Sequence, residues 1–127
     1  MALTPGLRAN RLIMVEKSDT AAALGSGDVP VLGTPKLLAF AEGLTCEAIG
    51  GQLTPEQTSV GVRVELEHRA ASGLGAHVEI SAELVEVEGR RLVFSFTAAH
   101  LDGSVVATGV IERVVVDREK FLSRATR

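Results

Sequence analysis

Four residues of this 127-residue chain combine reactive or unusual chemistry with positions where their types are out of place. Glu42 interrupts the apolar run "TPKLLAFAEGLTCEAI". A carboxylate there loses solvation unless a partner compensates, so it is either a reactive group or the occupant of a narrow solvent stripe. His68 ends the alternation Val60, Val62, Val64, Leu66 in "SVGVRVELEHRAASG", which predicts a ring pointing to the buried side where the strand opens to solvent. An imidazole at a cavity mouth serves as general acid or base near neutral pH; the plainer reading is a hydrogen-bonded strand-end residue. Thr34 reads as the N-cap of a helix, and a helix N-terminus also offers free N–H groups and partial positive charge to an oxyanion. Gly61 is out of phase with Val60 and Val62, which fits a small strand residue, a bulge, or close approach by a ligand.

Other candidates are weaker. His77 falls on the polar side of its strand and His100 beside the turn "LDG", so both are read as solvated. No two histidines have metal-ligand spacing, and Cys46 is alone, excluding an intrachain disulfide and a cysteine-rich zinc site. Deep in its helix, Cys46 is expected to be a core filler. There is no G-x-S-x-G elbow, P-loop or G-x-G-x-x-G.

The elements that must position these residues follow from periodicity. Residues 7–16 alternate weakly, with Ala9, Arg11, Ile13 and Val15 against Asn10, Leu12 and Met14, as an opening strand would. "KSDTAAALGSGDVPVLG" is a loop with a short helical turn at 20–24, long enough to act as a lid. Thr34 as N-cap and Pro35 as first helical residue start a helix that Gly50 and Gly51 stop. Lys36, Glu42 and Glu47 are its only charges, so it should be wrapped on most sides. Strands are expected over 58–68, 74–87, 91–101 and 105–116, the last with Val106, Val110, Val114 and Val116 in phase, and "DREKFLSRATR" as a short surface helix. Four successive strands with mainly short links imply an antiparallel meander. The fold class is α+β, a sheet wrapped around one long central helix.

Composition bounds the rest. The length fits a single domain over 1–127, and 46 % hydrophobic with 23 % charged residues is globular. The net charge of −3, with no basic block and few aromatics, argues against nucleic acid. No apolar run approaches the ~20 residues that span a bilayer, and the N-terminus lacks a signal peptide's apolar core, so no membrane partner and a cytoplasmic protein are expected.

At this point "GTPKLLAFAEGLTCEAI", "VGVRVELEHRAAS", "AELVEVEGRRLVFSFTAAHLDG" and "GVIERVVVDREKF", in this order over residues 29–121, resemble the fluoroacetyl-CoA thioesterase and its relatives among the hot-dog fold thioesterases. The resemblance implies a hot-dog fold, hydrolysis of a small or medium acyl-CoA, no cofactor or metal, and a homodimer whose sites lie near the interface. Residue by residue it implies catalytic roles for Thr34, Glu42 and His68 and a substrate-binding role for Gly61. Glu42 would be nucleophile or general base toward water, His68 would assist proton transfer, and Thr34 would orient or polarise the thioester. Lys36, Arg63 and Arg69 are candidates for the CoA phosphates, with ordinary surface charges as the plainer reading. The family enzyme's lid is rich in Phe, whereas "LGSGDVPVLG" has none, so fluoroacetyl selectivity does not carry over. The glycine-rich segment remains a candidate mobile gate. A non-catalytic acyl-CoA or small-ligand binding module is the alternative. A hot-dog hydratase is disfavoured because no histidine has an Asp five positions before it.

Overall fold

A computed structural model describes residues 3–126. The chain runs β1 (Arg8–Met14), a 3-10 turn (Lys17–Asp19), α1 (Ala21–Leu24), α2 (Thr34–Ile49), a second 3-10 turn (Gly50–Gln52), β2 (Gln57–His68), β3 (His77–Glu88), β4 (Arg91–His100), β5 (Val105–Asp117) and α3 (Arg118–Ala125). The expected α+β architecture is present, an antiparallel five-stranded sheet against one long helix. Its strand order is β1-β3-β4-β5-β2. The expected four-strand meander is therefore corrected: β3, β4 and β5 form a meander, but β2 pairs with β5 at the far edge. The link at 69–76 carries the chain across three strand spacings, about 14 Å, which eight residues span readily.

Alternation places the core on one face. Val78, Ile80, Ala82 and Leu84 of β3 and Leu92, Phe94, Phe96 and Ala98 of β4 are buried, as their period of two predicts. α2 answers with Leu37, Ala41, Leu44 and Ile49 at helical spacing. Gly89 (φ 60°) and Gly103 (φ 89°) turn the two hairpins in the left-handed region that glycine adopts without a Cβ penalty. β3 starts later than expected because Gly75, at φ 84°, still turns the chain before His77.

Two expectations about α2 are corrected. The N-cap is Gly33, with Thr34 the first helical residue; the Gly33 carbonyl accepts from Lys36 N and Leu37 N, and the Thr34 hydroxyl is engaged elsewhere. Nor is the helix wrapped on most sides: Ala39, Gly43, Cys46 and Glu47 form an exposed flank. Cys46 is thus exposed rather than a core filler.

The phase of β5 is also corrected. Its helix-facing side carries Ile111, Arg113 and Val115, all buried, while Val110, Val114 and Val116 face the other way. Val106 is nonetheless buried, because the register shifts where β5 leaves Ala98 and Ala99 of β4. On the outer face Val60, Val62, Val114 and Val116 line an apolar groove together with Phe121 of α3.

Candidate active site

The opening anomaly of β2 resolves into a bulge. The β2–β5 register shifts between Gly61 and Arg63, leaving Val62 unpaired. Before the bulge Ser59 and Gly61 lie opposite Val115 and Arg113; after it Val64, Leu66 and His68 lie opposite Ile111, Gly109 and Ala107. Val60 and Val62 belong to the outer face, so the five even positions do not share one side. The inward half nonetheless ends on His68, as expected.

His68 meets Thr34. Thr34 Oγ1 and His68 Nδ1 share a hydrogen bond of 2.8 Å, joining the start of α2 to the end of β2. Nε2 is buried and has no partner among the described residues. A buried ring nitrogen without a partner is costly, and it marks where another molecule can bind. Burial pushes the imidazole below its ordinary value of 6.5, partly opposed by the Ala70 main chain. The neutral ring is therefore the folded form at neutral pH. The unfolded chain takes up this proton first on acidification, so the contribution of His68 to stability is intact above about pH 6.5 and declines as pH falls through the folded pKa. We expect an NMR titration of the ring, and the acid limb of kcat/KM, to share a midpoint below 6.5. A midpoint at or above that value would contradict the desolvated environment.

Glu42 belongs to a second cluster. Its side chain is 37 % exposed, on the flank of α2 that the sheet leaves open, and Oε2 lies 3.4 Å from Arg113 Nη1. Arg113 is buried and clamped: Nε donates to Ser59 Oγ and Nη2 to the Ser59 carbonyl, each at 2.9 Å. The guanidinium is held at two nitrogens and presents the third to the carboxylate. Gly61 makes room, since a Cβ there would fall 2.6 Å from Glu42 Oε2. The expectation at Gly61 is a bulge or a close approach by a ligand; a bulge follows at Val62, and the close neighbour is Glu42.

The structure thus brings together Thr34 with His68, and Glu42 with Gly61, but not the two pairs with each other. They are about 12 Å apart along the helix and roughly 20 Å along the strand. Periodicity does not single out Arg113, because Val110, Val114 and Val116 mark the opposite face of β5 as the apolar one. The available signal was an arginine two residues from both Ile111 and Val115.

The remaining polar candidates are engaged. Lys36 Nζ lies 3.8 Å from Asp19, Arg63 pairs with Glu65 and Glu112, and Arg69 Nη2 is 2.8 Å from Glu67. His77 is exposed as expected, whereas His100 is hydrogen-bonded to Ser72 and Ser104. The segment expected as a gate is fastened at its base: Thr20 bridges Leu32, and Gly33 N donates to the Asp19 carbonyl. Residues 22–30 are exposed. No described helix is long and apolar enough to cross a membrane.

The chain has relatives among known proteins. The fluoroacetyl-CoA thioesterase of Streptantibioticus cattleyicolor is 34 % identical over 91 residues, covering 72 % of this chain and 65 % of that protein. The match thus spans less than two thirds of that relative's length. A solved fluoroacetyl-CoA thioesterase superposes with a TM-score of 0.90 at 27 % identity, over 98 % of this chain and 96 % of the other. A hot-dog-like protein from Thermanaerovibrio acidaminovorans does so at 0.87 and 31 %, over 95 % and 89 %. The family described as fluoroacetyl-CoA-specific thioesterase matches residues 15–119, a span that holds Thr34, Glu42, Gly61, His68 and Arg113. The chain belongs to that family.

Proposed function

We propose that this protein is an acyl-CoA thioesterase, hydrolysing a small or medium acyl-CoA to the free acid and CoA. The observation that carries the reading is the partly exposed Glu42 carboxylate, seated against Gly61 and a clamped Arg113 on the open flank of α2. The family supports the thioester chemistry.

In this reading Glu42 supplies the attack on the thioester carbon, directly or by drawing a proton from water. The C–S bond then breaks and CoA leaves as thiolate; after direct attack, water cleaves the anhydride on Glu42, which releases the acid and restores the carboxylate. With the Thr34 hydroxyl donating to Nδ1, a neutral His68 carries its proton on the unpartnered Nε2, from which it offers a hydrogen bond to the departing sulfur while keeping the proton. Arg113 steadies Glu42, and Gly61 leaves the carboxylate space beside the substrate. A single turnover in H2-18O distinguishes the routes, since only direct attack leaves solvent oxygen in Glu42.

The separation of the clusters favours a homodimer in which Glu42 of one copy works with Thr34 and His68 of the other. β2 is an edge strand whose outer side is unpaired in the single chain. Antiparallel pairing of two β2 edges about a two-fold axis sets the His68 end of each copy toward the Gly61 region of its neighbour. Glu42→Ala and His68→Ala chains, each inactive alone, should then regain about a quarter of wild-type activity when mixed, because each mixed dimer holds one intact site. Lack of complementation in proven mixed dimers would place both residues in one chain's site. If a panel of acyl-CoA esters is bound without release of thiol, and binding is unchanged in Glu42→Ala, the protein is a binding module instead.

A further inference from the structure

A polar chain outside this site reaches toward it from the β4–β5 turn. Ser72 is 1 % exposed, and its Oγ lies 2.8 Å from His100 Nε2. Across the ring, Nδ1 is 3.2 Å from Ser104 Oγ, whose hydroxyl donates to Asp102 Oδ1 at 2.7 Å. Ser104 has one hydroxyl hydrogen and Asp102 takes it, so His100 must donate from Nδ1 to Ser104. In the neutral ring Nε2 is then the acceptor and Ser72 the donor. Asp102, held ionised by its bonds from Ser104, fixes the direction of the whole chain.

What the chain grips is the crossover between β2 and β3. Ser72 follows His68 by four residues, its carbonyl accepts from Leu32 N at 2.8 Å, and Val31 bridges Gly73. Leu32 immediately precedes Gly33, the N-cap of α2, and then Thr34. The side chain of Ser72 is thus tied to His100, while its main chain ties the end of β2 to the start of α2. Those are the two elements whose residues meet at 2.8 Å in the Thr34–His68 bond.

We propose that Ser72 and His100 are positioning residues for the Thr34–His68 couple, with Ser104 and Asp102 fixing the ring that holds Ser72. The proposal rests on the reading of that couple as part of a hydrolytic site. Its mechanical half can be measured without turnover.

Ser72→Ala and His100→Ala should each lower kcat for acyl-CoA hydrolysis roughly tenfold with KM within about twofold, as a displaced catalytic group does. His100→Gln, whose amide oxygen can accept from Ser72, should recover most of the loss. In the ligand-free protein, the ring nitrogen NMR signals of His68 should move in Ser72→Ala toward those of Thr34→Val, and stay near wild type in His100→Gln. If wild-type protein hydrolyses no acyl-CoA, the hydrolase reading fails and the His68 signals alone decide this one. Folded Ser72→Ala and His100→Ala proteins that melt earlier but keep wild-type His68 signals would make the chain a structural clamp and overturn the proposal.

Discussion

Glu42→Gln should lower kcat for acyl-CoA hydrolysis by about a thousandfold or more, with KM changed only a few-fold. The substitution keeps size and hydrogen-bonding oxygen, so Arg113 Nη1 retains an acceptor while the group that attacks or takes a proton is gone. Ser59 still holds the other two guanidinium nitrogens. The charge pair lost is long, at 3.4 Å, and its carboxylate side is 37 % exposed, so the cost in stability should be only about 1 kcal/mol. Steady-state kinetics beside thermal melting would show this split. Activity within tenfold of wild type would remove Glu42 from the chemistry.

Two glycines of the same sheet should give opposite results when changed to alanine. At Gly109 a Cβ would fall 2.6 Å from Phe96 Cζ and closer still to the Glu65 carbonyl oxygen. One obstacle is the main chain of the paired strand and the other a ring buried in the core, so neither can move without parting β2, β4 and β5. Gly109→Ala should cost about 3 kcal/mol, or roughly 10 °C in Tm. At Gly61 the nearest atom is the far end of the Glu42 side chain, which can swing away. Gly61→Ala should therefore melt within a few degrees of wild type, yet lose about a hundredfold in kcat because the carboxylate is displaced. Equal melting of the two variants, or full activity in Gly61→Ala, would contradict this assignment of the two contacts.

The parts of this fold that repeat regularly were legible from residue type. α2 announced itself through Leu37, Ala41, Leu44 and Ile49, and the β3–β4 hairpin through the alternations Val78 to Leu84 and Leu92 to Ala98 on either side of Gly89. Glu42 and His68 stand out because each departs from such a pattern, whereas Thr34 and Gly61 enter the site through the resemblance to the thioesterase family. What periodicity could not convey was an irregular backbone. The bulge at Val62 exchanges the faces of β2, so Val60 and Leu66, six residues apart on paper in one stripe with Val62 and Val64, end on opposite sides. The inward turn of Arg113 was hidden because valines occupy both faces of β5 at that point. Strand order was hidden for a different reason, since a link long enough to turn is also long enough to cross.

The fastening of the lid segment bears on timing. With Thr20 bridged to Leu32 and Gly33 N bonded to Asp19, the segment cannot swing as a flap about a hinge. Only its exposed stretch at 22–30 is left to move, and motions of so short a loop belong to the nanosecond-to-microsecond range. If the protein turns over acyl-CoA as proposed, kcat should therefore not vary with solvent viscosity, as it would if a slow opening of this segment set the pace.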